Sequence, residues 1–166
     1  MRITLTTLQQ HVKNNNKFSV LTCYDATFAK ILEGAGVDVL LVGDSLGNVL
    51  EGESTTLSVT LDDIIYHTRC VSSGSNRALI MADMPFGSYQ QSPQQAFDNA
   101  SKILAAGAHM VKIEGGQVMA ETTAFLTQRG IHVCAHIGLM TQSIHQLRGY
   151  KLHGASQQSA KQLIEE

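Results

Sequence analysis

The 166-residue sequence has no excess of positive charge: 12 Lys and Arg stand against 14 Asp and Glu, for a net −2, and the basic residues are scattered. A nucleic acid or an anionic lipid surface is therefore not an expected partner. Long apolar runs are also missing. Met1-Arg2-Ile3-Thr4-Leu5-Thr6-Thr7 leads into no apolar export segment. No stretch approaches the ~18 apolar residues of a membrane span, so the expected location is the cytoplasm, without membrane contact. Cysteine is sparse. Cys23, Cys70 and Cys134 are far apart, odd in number and in no Cys-x-x-Cys spacing, which argues for reduced, mostly buried thiols and against disulfides or zinc. No Gly-x-Gly-x-x-Gly opens a helix after the first strand and no Gly-x-x-x-x-Gly-Lys-[Ser/Thr] occurs, so motifs give little support to a nucleotide site. Ser45 lacks a nucleophile-elbow context and reads as a hydrogen-bond donor to a ligand.

What remains is an ordinary globular composition, 43% hydrophobic and 16% charged, read as one domain over residues 1–166 and suited to small-molecule chemistry. Strand and helix patterns alternate. A helix capped by Thr6 or Thr7 precedes a strand over Lys17–Thr22. A helix over Tyr24–Glu33, with Phe28, Ile31 and Leu32 at helical spacing, precedes the fully apolar strand Val39-Leu40-Leu41-Val42. Leu46 to Leu61 reads as a long loop, and Thr60 caps the helix that follows it. Strands are then predicted at Leu79–Ala82, Met110–Gly116 and Ile131–Gly138. The helices between them run from Ser92-Pro93 to Gly107 and from Val118 to Arg129. After a polar loop from Thr141 to Ser156, a last helix begins near Gln157. A faint repeat, Lys30-Ile31-Leu32 before Ala35-Gly36 and Lys102-Ile103-Leu104 before Ala106-Gly107, fits the same alternation. The pattern is that of βα units joined by right-handed crossovers, an α/β fold with a parallel sheet.

Three consecutive apolar strands end in carboxylates: Asp44, Asp83 and Glu114. If the strands are parallel neighbours, these groups meet at one end of the sheet, where barrel enzymes build their sites. Three carboxylates together repel, so they either scatter to solvent or share a cation, and an all-oxygen set favours a hard ion such as Mg²⁺. Lys112 and Glu114, two apart on one strand, share a face. Lys112 is either half of a structural ion pair with Glu114 or Asp83, or the cation that binds a substrate carboxylate or enolate. His136 ends the fifth strand, as a hydrogen-bonded core residue or as a ligand group. His11, His67, His109, His132, His145 and His153 receive no role.

Five segments carry a resemblance. Leu21-Thr22-Cys23-Tyr24-Asp25, Leu41-Val42-Gly43-Asp44-Ser45-Leu46-Gly47, Ala82-Asp83-Met84-Pro85-Phe86-Gly87-Ser88-Tyr89, Val111-Lys112-Ile113-Glu114-Gly115-Gly116 and Gly149-Tyr150-Lys151 closely resemble the ketopantoate hydroxymethyltransferase family. The resemblance implies a (β/α)₈ barrel of TIM type, of which this chain holds about the first five βα units, in a large homo-oligomer. It implies transfer of a one-carbon unit from 5,10-methylenetetrahydrofolate to 3-methyl-2-oxobutanoate in pantothenate and coenzyme A synthesis, through a Mg²⁺-stabilised enolate. By motif match Asp44, Asp83 and Glu114 take the metal, while Ser45, Lys112 and His136, with Asp44 and Asp83, take the 2-oxo acid. The family's general base, a glutamate on the sixth strand, falls beyond Glu166, which leaves no catalytic base expected among these residues. An eight-stranded barrel takes about 250 residues, so the resemblance is to an N-terminal part whose open strand edges call for another chain.

Met140-Thr141 stands where the family usually has Thr-Pro, which predicts a looser loop after the fifth strand and looser placement of His136. Two other readings accompany the enzyme. One is a catalytically incompetent fragment that keeps metal and 2-oxo acid binding. The other is a Mg²⁺-dependent lyase or mutase related to the phosphoenolpyruvate mutase and isocitrate lyase barrels, against which Lys112-x-Glu114-Gly115-Gly116 speaks.

Overall fold

Short polar side chains start most of the helices. In the computed structural model, which describes residues 1–145 and 154–165, Asp25, Thr60 and Ser92 each accept a hydrogen bond from a backbone N–H of the first turn that follows. They open α2 (Ala26–Gly34), α4 (Leu61–Gly74) and α5 (Pro93–Ala105), the last with Pro93 in its first turn. The first helix, α1 (Leu5–Lys13), is capped by Thr4 in a reciprocal box with Thr7, two to three residues earlier than expected. Leu46–Val49, expected as loop, forms the short helix α3, too brief for a hydrophobic period to register. Further on lie α6 (Ala120–Thr127) and α7 (Gln157–Glu165). The Gly149-Tyr150-Lys151 segment and His153 lie outside the described residues. Among the described residues, no helix is long and apolar enough to cross a membrane, and the three cysteines are free, with Cys23 buried and the others partly so.

Between the helices run β1 (Val20–Thr22), β2 (Val39–Val42), β3 (Leu79–Asp83), β4 (Met110–Glu114) and β5 (Val133–His136). They form one sheet in the order β1-β2-β3-β4-β5, and every neighbouring pair is parallel. This is the expected α/β architecture, five successive βα units of a barrel.

Alternation divides the sheet. Leu40, Val42, Ile80, Ala82, Val111 and Ile113 pack into the cluster that holds Ala29, Ile64, Val71, Ala100 and Ile103 of α2, α4 and α5. Each large side chain buried there is worth ~1.5–3 kcal/mol. Val39, Leu79, Met81 and Met110 point the other way and meet Leu8 of α1 beside an apolar groove of ≈ 590 Å³. Along that second face the rows read Leu79-Met81-Asp83 and Met110-Lys112-Glu114, apolar at the amino end and ionisable at the carboxyl end.

Two contacts fix the helix layer. Gly74 passes so close to α2 that a Cβ there would lie 2.3 Å from the Ala26 carbonyl oxygen, so the α2–α4 approach requires glycine. Glu33, near the end of α2, reaches the loop before β3. Its carboxylate accepts hydrogen bonds from the Ser75 hydroxyl (2.6 Å) and from three successive backbone N–H groups, those of Asn76 (3.1 Å), Arg77 (2.7 Å) and Ala78 (2.9 Å). Burial works against the ionised form, but these donors outweigh it and bring the carboxyl down to about 2.

Candidate active site at the carboxyl ends of the strands

Gly43 turns the chain out of β2 and places Asp44 and Ser45 beside the end of β3. A Cβ at Gly43 would lie 3.0 Å from Ser45 Oγ and 3.5 Å from Asp83 Oδ2, so the turn leaves little room for any other residue. The Asp44 backbone N–H donates to Asp83 Oδ2 at 3.0 Å. Register sets Asp83 of β3 opposite Lys112 of β4, and Glu114 of β4 opposite His136 of β5. Asp44, Asp83 and Glu114 are 4%, 3% and 5% exposed, so the three carboxylates gather at the sheet end instead of dispersing into solvent.

The three do not share one environment. Lys112 Nζ lies 3.0 Å from Asp83 Oδ1 as an ion pair, and no other donor reaches this buried oxygen. Burial pushes the Asp83 carboxyl up, to about 6, with Lys112 opposing and the Asp44 charge adding. Burial also raises Asp44, against the hydrogen bond it accepts from Gln142. The same burial disfavours the Lys112 ammonium, yet the surrounding carboxylates, Asp83 foremost, outweigh it and raise its pKa, so lysine and aspartate pair as ions at neutral pH. The structural ion-pair reading of Lys112 therefore holds for Asp83.

Glu114 is the satisfied member. Its Oε1 accepts from His136 Nδ1 (2.9 Å) and Thr141 Oγ1 (3.3 Å), and its Oε2 accepts from the Gln142 backbone N–H (3.0 Å). Burial is outweighed by these donors, and the pKa is lowered. The start of the loop after β5, expected to be looser, is tied down: residues Thr141–Ser143 form a 3₁₀ turn, and the Thr141 hydroxyl itself supplies one of its ties. Among the described residues no three His, Cys, Asp or Glu side chains close around a single point. Glu114, expected as a third metal ligand, is turned toward the β5 loop.

Three residues with no assigned role complete the site. Ser45 Oγ shares a 2.8 Å hydrogen bond with the hydroxyl of Tyr24, which follows β1. Tyr89 Oη accepts from the Glu114 backbone N–H (3.0 Å) and donates to Gln142 Oε1 (2.7 Å). Gln142 Nε2 donates to Asp44 Oδ2 and to the Met84 carbonyl, both at 2.9 Å. Tyr24 and Tyr89 stand inside segments that carry the family resemblance, which was the available signal. Gln142 had none beyond its place shortly after His136. The ends of three neighbouring strands thus hold a pair of underpaired carboxylates, a partly buried ammonium and a serine hydroxyl, a set able to hold a hard cation and an anionic, oxygen-rich small molecule.

The ketopantoate hydroxymethyltransferase family pattern matches residues 2–166. The chain belongs to that family. Among curated relatives, 3-methyl-2-oxobutanoate hydroxymethyltransferase of Nitrosomonas europaea is 64% identical over 165 residues, 99% of this chain and 61% of its own length. That of Nitrosospira multiformis is 61% identical over 100% of this chain and 63% of its own length. The chain thus spans about three fifths of these relatives. In fold it is similar to 2,3-dimethylmalate lyase, a PEP mutase/isocitrate lyase superfamily member (TM-score 0.63, 20% identity, 99% of this chain and 66% of that one). It is also similar to phosphonopyruvate hydrolase (TM-score 0.66, 15% identity, 95% and 56%). At such identities the likeness concerns architecture, and the family rests on the sequence matches.

Proposed function

We propose that this chain carries the cation- and 2-oxo acid-binding part of a hydroxymethyltransferase. The enzyme moves a one-carbon unit from 5,10-methylenetetrahydrofolate to 3-methyl-2-oxobutanoate, giving ketopantoate for pantothenate and coenzyme A synthesis. The observation that carries this reading is the Asp44–Asp83 pair: two buried carboxylates at one end of the sheet, both with raised pKa, one of whose oxygens has the Lys112 ammonium as its sole partner. That chemistry fits a divalent cation such as Mg²⁺ held by Asp44 and Asp83, with Glu114 at the edge of the set. Such an ion, when bound, acts as a Lewis acid toward the keto and carboxylate oxygens of a 2-oxo acid and stabilises an enolate.

The protein's own groups supply the rest. Ser45, braced by Tyr24, donates to a substrate oxygen. Lys112 contributes a fixed positive charge beside the developing enolate, at no cost of reorganisation because Asp83 already holds it. His136, anchored to Glu114 through Nδ1, is left to face the substrate with its other ring edge. The proton acceptor for C3 belongs, on the family's pattern, to a sixth strand outside the span of this sequence. The reading includes a cytoplasmic homo-oligomer, supported by the exposed Phe28, Ile31 and Tyr66 on the helix layer.

Calorimetric titration of the 166-residue chain with 3-methyl-2-oxobutanoate, with and without Mg²⁺, tests the site, and ketopantoate formation from methylenetetrahydrofolate tests the reaction. Mg²⁺-dependent binding is expected. Binding without turnover would make this chain the binding part alone, and no binding would sink the reading.

A further inference from the structure

Gln142 is 5% exposed and uses its whole hydrogen-bonding capacity. Its two amide hydrogens go to Asp44 Oδ2 and the Met84 carbonyl, each at 2.9 Å. Its oxygen accepts from Tyr89 Oη at 2.7 Å and from Gln90 Nε2 at 3.4 Å. Its backbone N–H goes to Glu114 Oε2 at 3.0 Å. One residue of the loop after β5 therefore grips groups at the ends of β2, β3 and β4 together. The amide has one workable orientation, because a flip would press its oxygen against a carboxylate and a carbonyl.

We propose that Gln142 is the positioning residue of this site: it sets the Asp44 carboxylate, and thereby the affinity for a divalent cation, without neutralising it. The inference rests on the reading that Asp44 and Asp83 receive the cation. The two aspartates are held by opposite means. Asp83 lies against an ammonium, which fixes it and also cancels its charge. Asp44 is fixed by a neutral amide, which supplies direction and leaves the negative charge for the ion. The Tyr89 hydroxyl orients that amide in turn, as outer groups orient the ligands of metal sites. A residue needed only to close the loop would have no reason to spend a buried donor on the carboxylate of another strand.

The test titrates Mn²⁺ into the 166-residue chain, following free Mn²⁺ by electron paramagnetic resonance, with a thermal melt of every variant. Gln142→Met keeps the volume and removes both donors, and a 10- to 100-fold weaker Mn²⁺ affinity is expected. Tyr89→Phe removes the shorter of the two bonds to the amide oxygen and loosens the amide without freeing it to flip, and a loss of about threefold is expected. The double variant should lose little beyond Gln142→Met alone, since Tyr89 reaches Asp44 through the Gln142 amide and its other bonds go to the Glu114 backbone. Mn²⁺ affinity within twofold of the parent in a cooperatively melting Gln142→Met, or in Tyr89→Phe should Gln142→Met not fold, overturns the proposal, as does a parent chain that takes up no Mn²⁺. Adding 3-methyl-2-oxobutanoate separates the two claims. A parent that binds Mn²⁺ but does not respond to the 2-oxo acid defeats the substrate reading and leaves the Gln142 comparison standing.

Discussion

Glu33 and Asp83 are both carboxylates removed in part from water, and the protein treats them oppositely. Glu33 receives a hydroxyl and three consecutive backbone N–H groups and is held down to about 2. Asp83 receives one backbone N–H and an ammonium at 3.0 Å, and burial carries it up to about 6. The first joins a helix to the loop before β3 and has nothing left to offer a ligand. The second keeps unspent acceptor capacity at the mouth of the sheet. A carboxylate that the fold needs is saturated, and one that a ligand needs is left short of donors.

The contrast can be broken at either end. Asp83→Ala or Asp44→Ala is expected to abolish Mg²⁺-dependent binding of 3-methyl-2-oxobutanoate, a loss of about a thousandfold or ~4 kcal/mol, and Asp44→Ala to do so with comparatively little change in melting temperature. Unchanged calorimetric binding would end the shared-site account. Glu33→Ala should do the reverse, leaving binding intact and destabilising the fold by about 2–4 kcal/mol in urea unfolding, because four donors lose their acceptor.

Acidity sharpens the contrast. The Glu33 contribution is present above its unfolded pKa of about 4.5 and is lost as pH falls toward 2, so stability there rises with pH. Folded Asp83 keeps a proton that the unfolded chain releases near 3.8, so between about 4 and 6 its contribution falls as pH rises. Urea midpoints across pH 2–7 should show both slopes, the lower flattened by Glu33→Gln and the upper by Asp83→Asn. The smallest effect serves as a yardstick: Thr60→Ala removes the α4 cap, which bonds neither carboxylate, and should cost about 1 kcal/mol without touching binding.

Much of this arrangement could be read from the sequence, for reasons that lie in particular residues. Leu79 to Asp83 and Met110 to Glu114 announce buried strands because four or five residues suffice to reveal an apolar run and its abrupt ionic end. Thr60 and Ser92 announce helix starts because capping is local. What escaped is what depends on distance through space. Nothing near Glu33 says that its side chain will meet the N–H groups of residues 76–78. Gln142 is uncharged, sits in a short turn and belongs to no period, so its grip on Asp44, 98 positions away, is invisible until the strands are assembled. The turning of Glu114 toward His136 and Gln142 escaped for the same reason: spacing gives a face, and neighbours decide what a side chain does there.

The sheet order has a consequence for how the molecule is made. Each of the five described strands lies beside the one synthesised just before it, so among them no pairing waits for a later strand and this part of the sheet can grow as the chain leaves the ribosome. The site is then assembled in sequence: Asp44, next Asp83 with its ion-pair partner, next Glu114, and last the turn that carries Gln142. Of these pieces the last to emerge is the one that ties the strand ends together, so a chain that has not yet reached it holds the acids without their clasp.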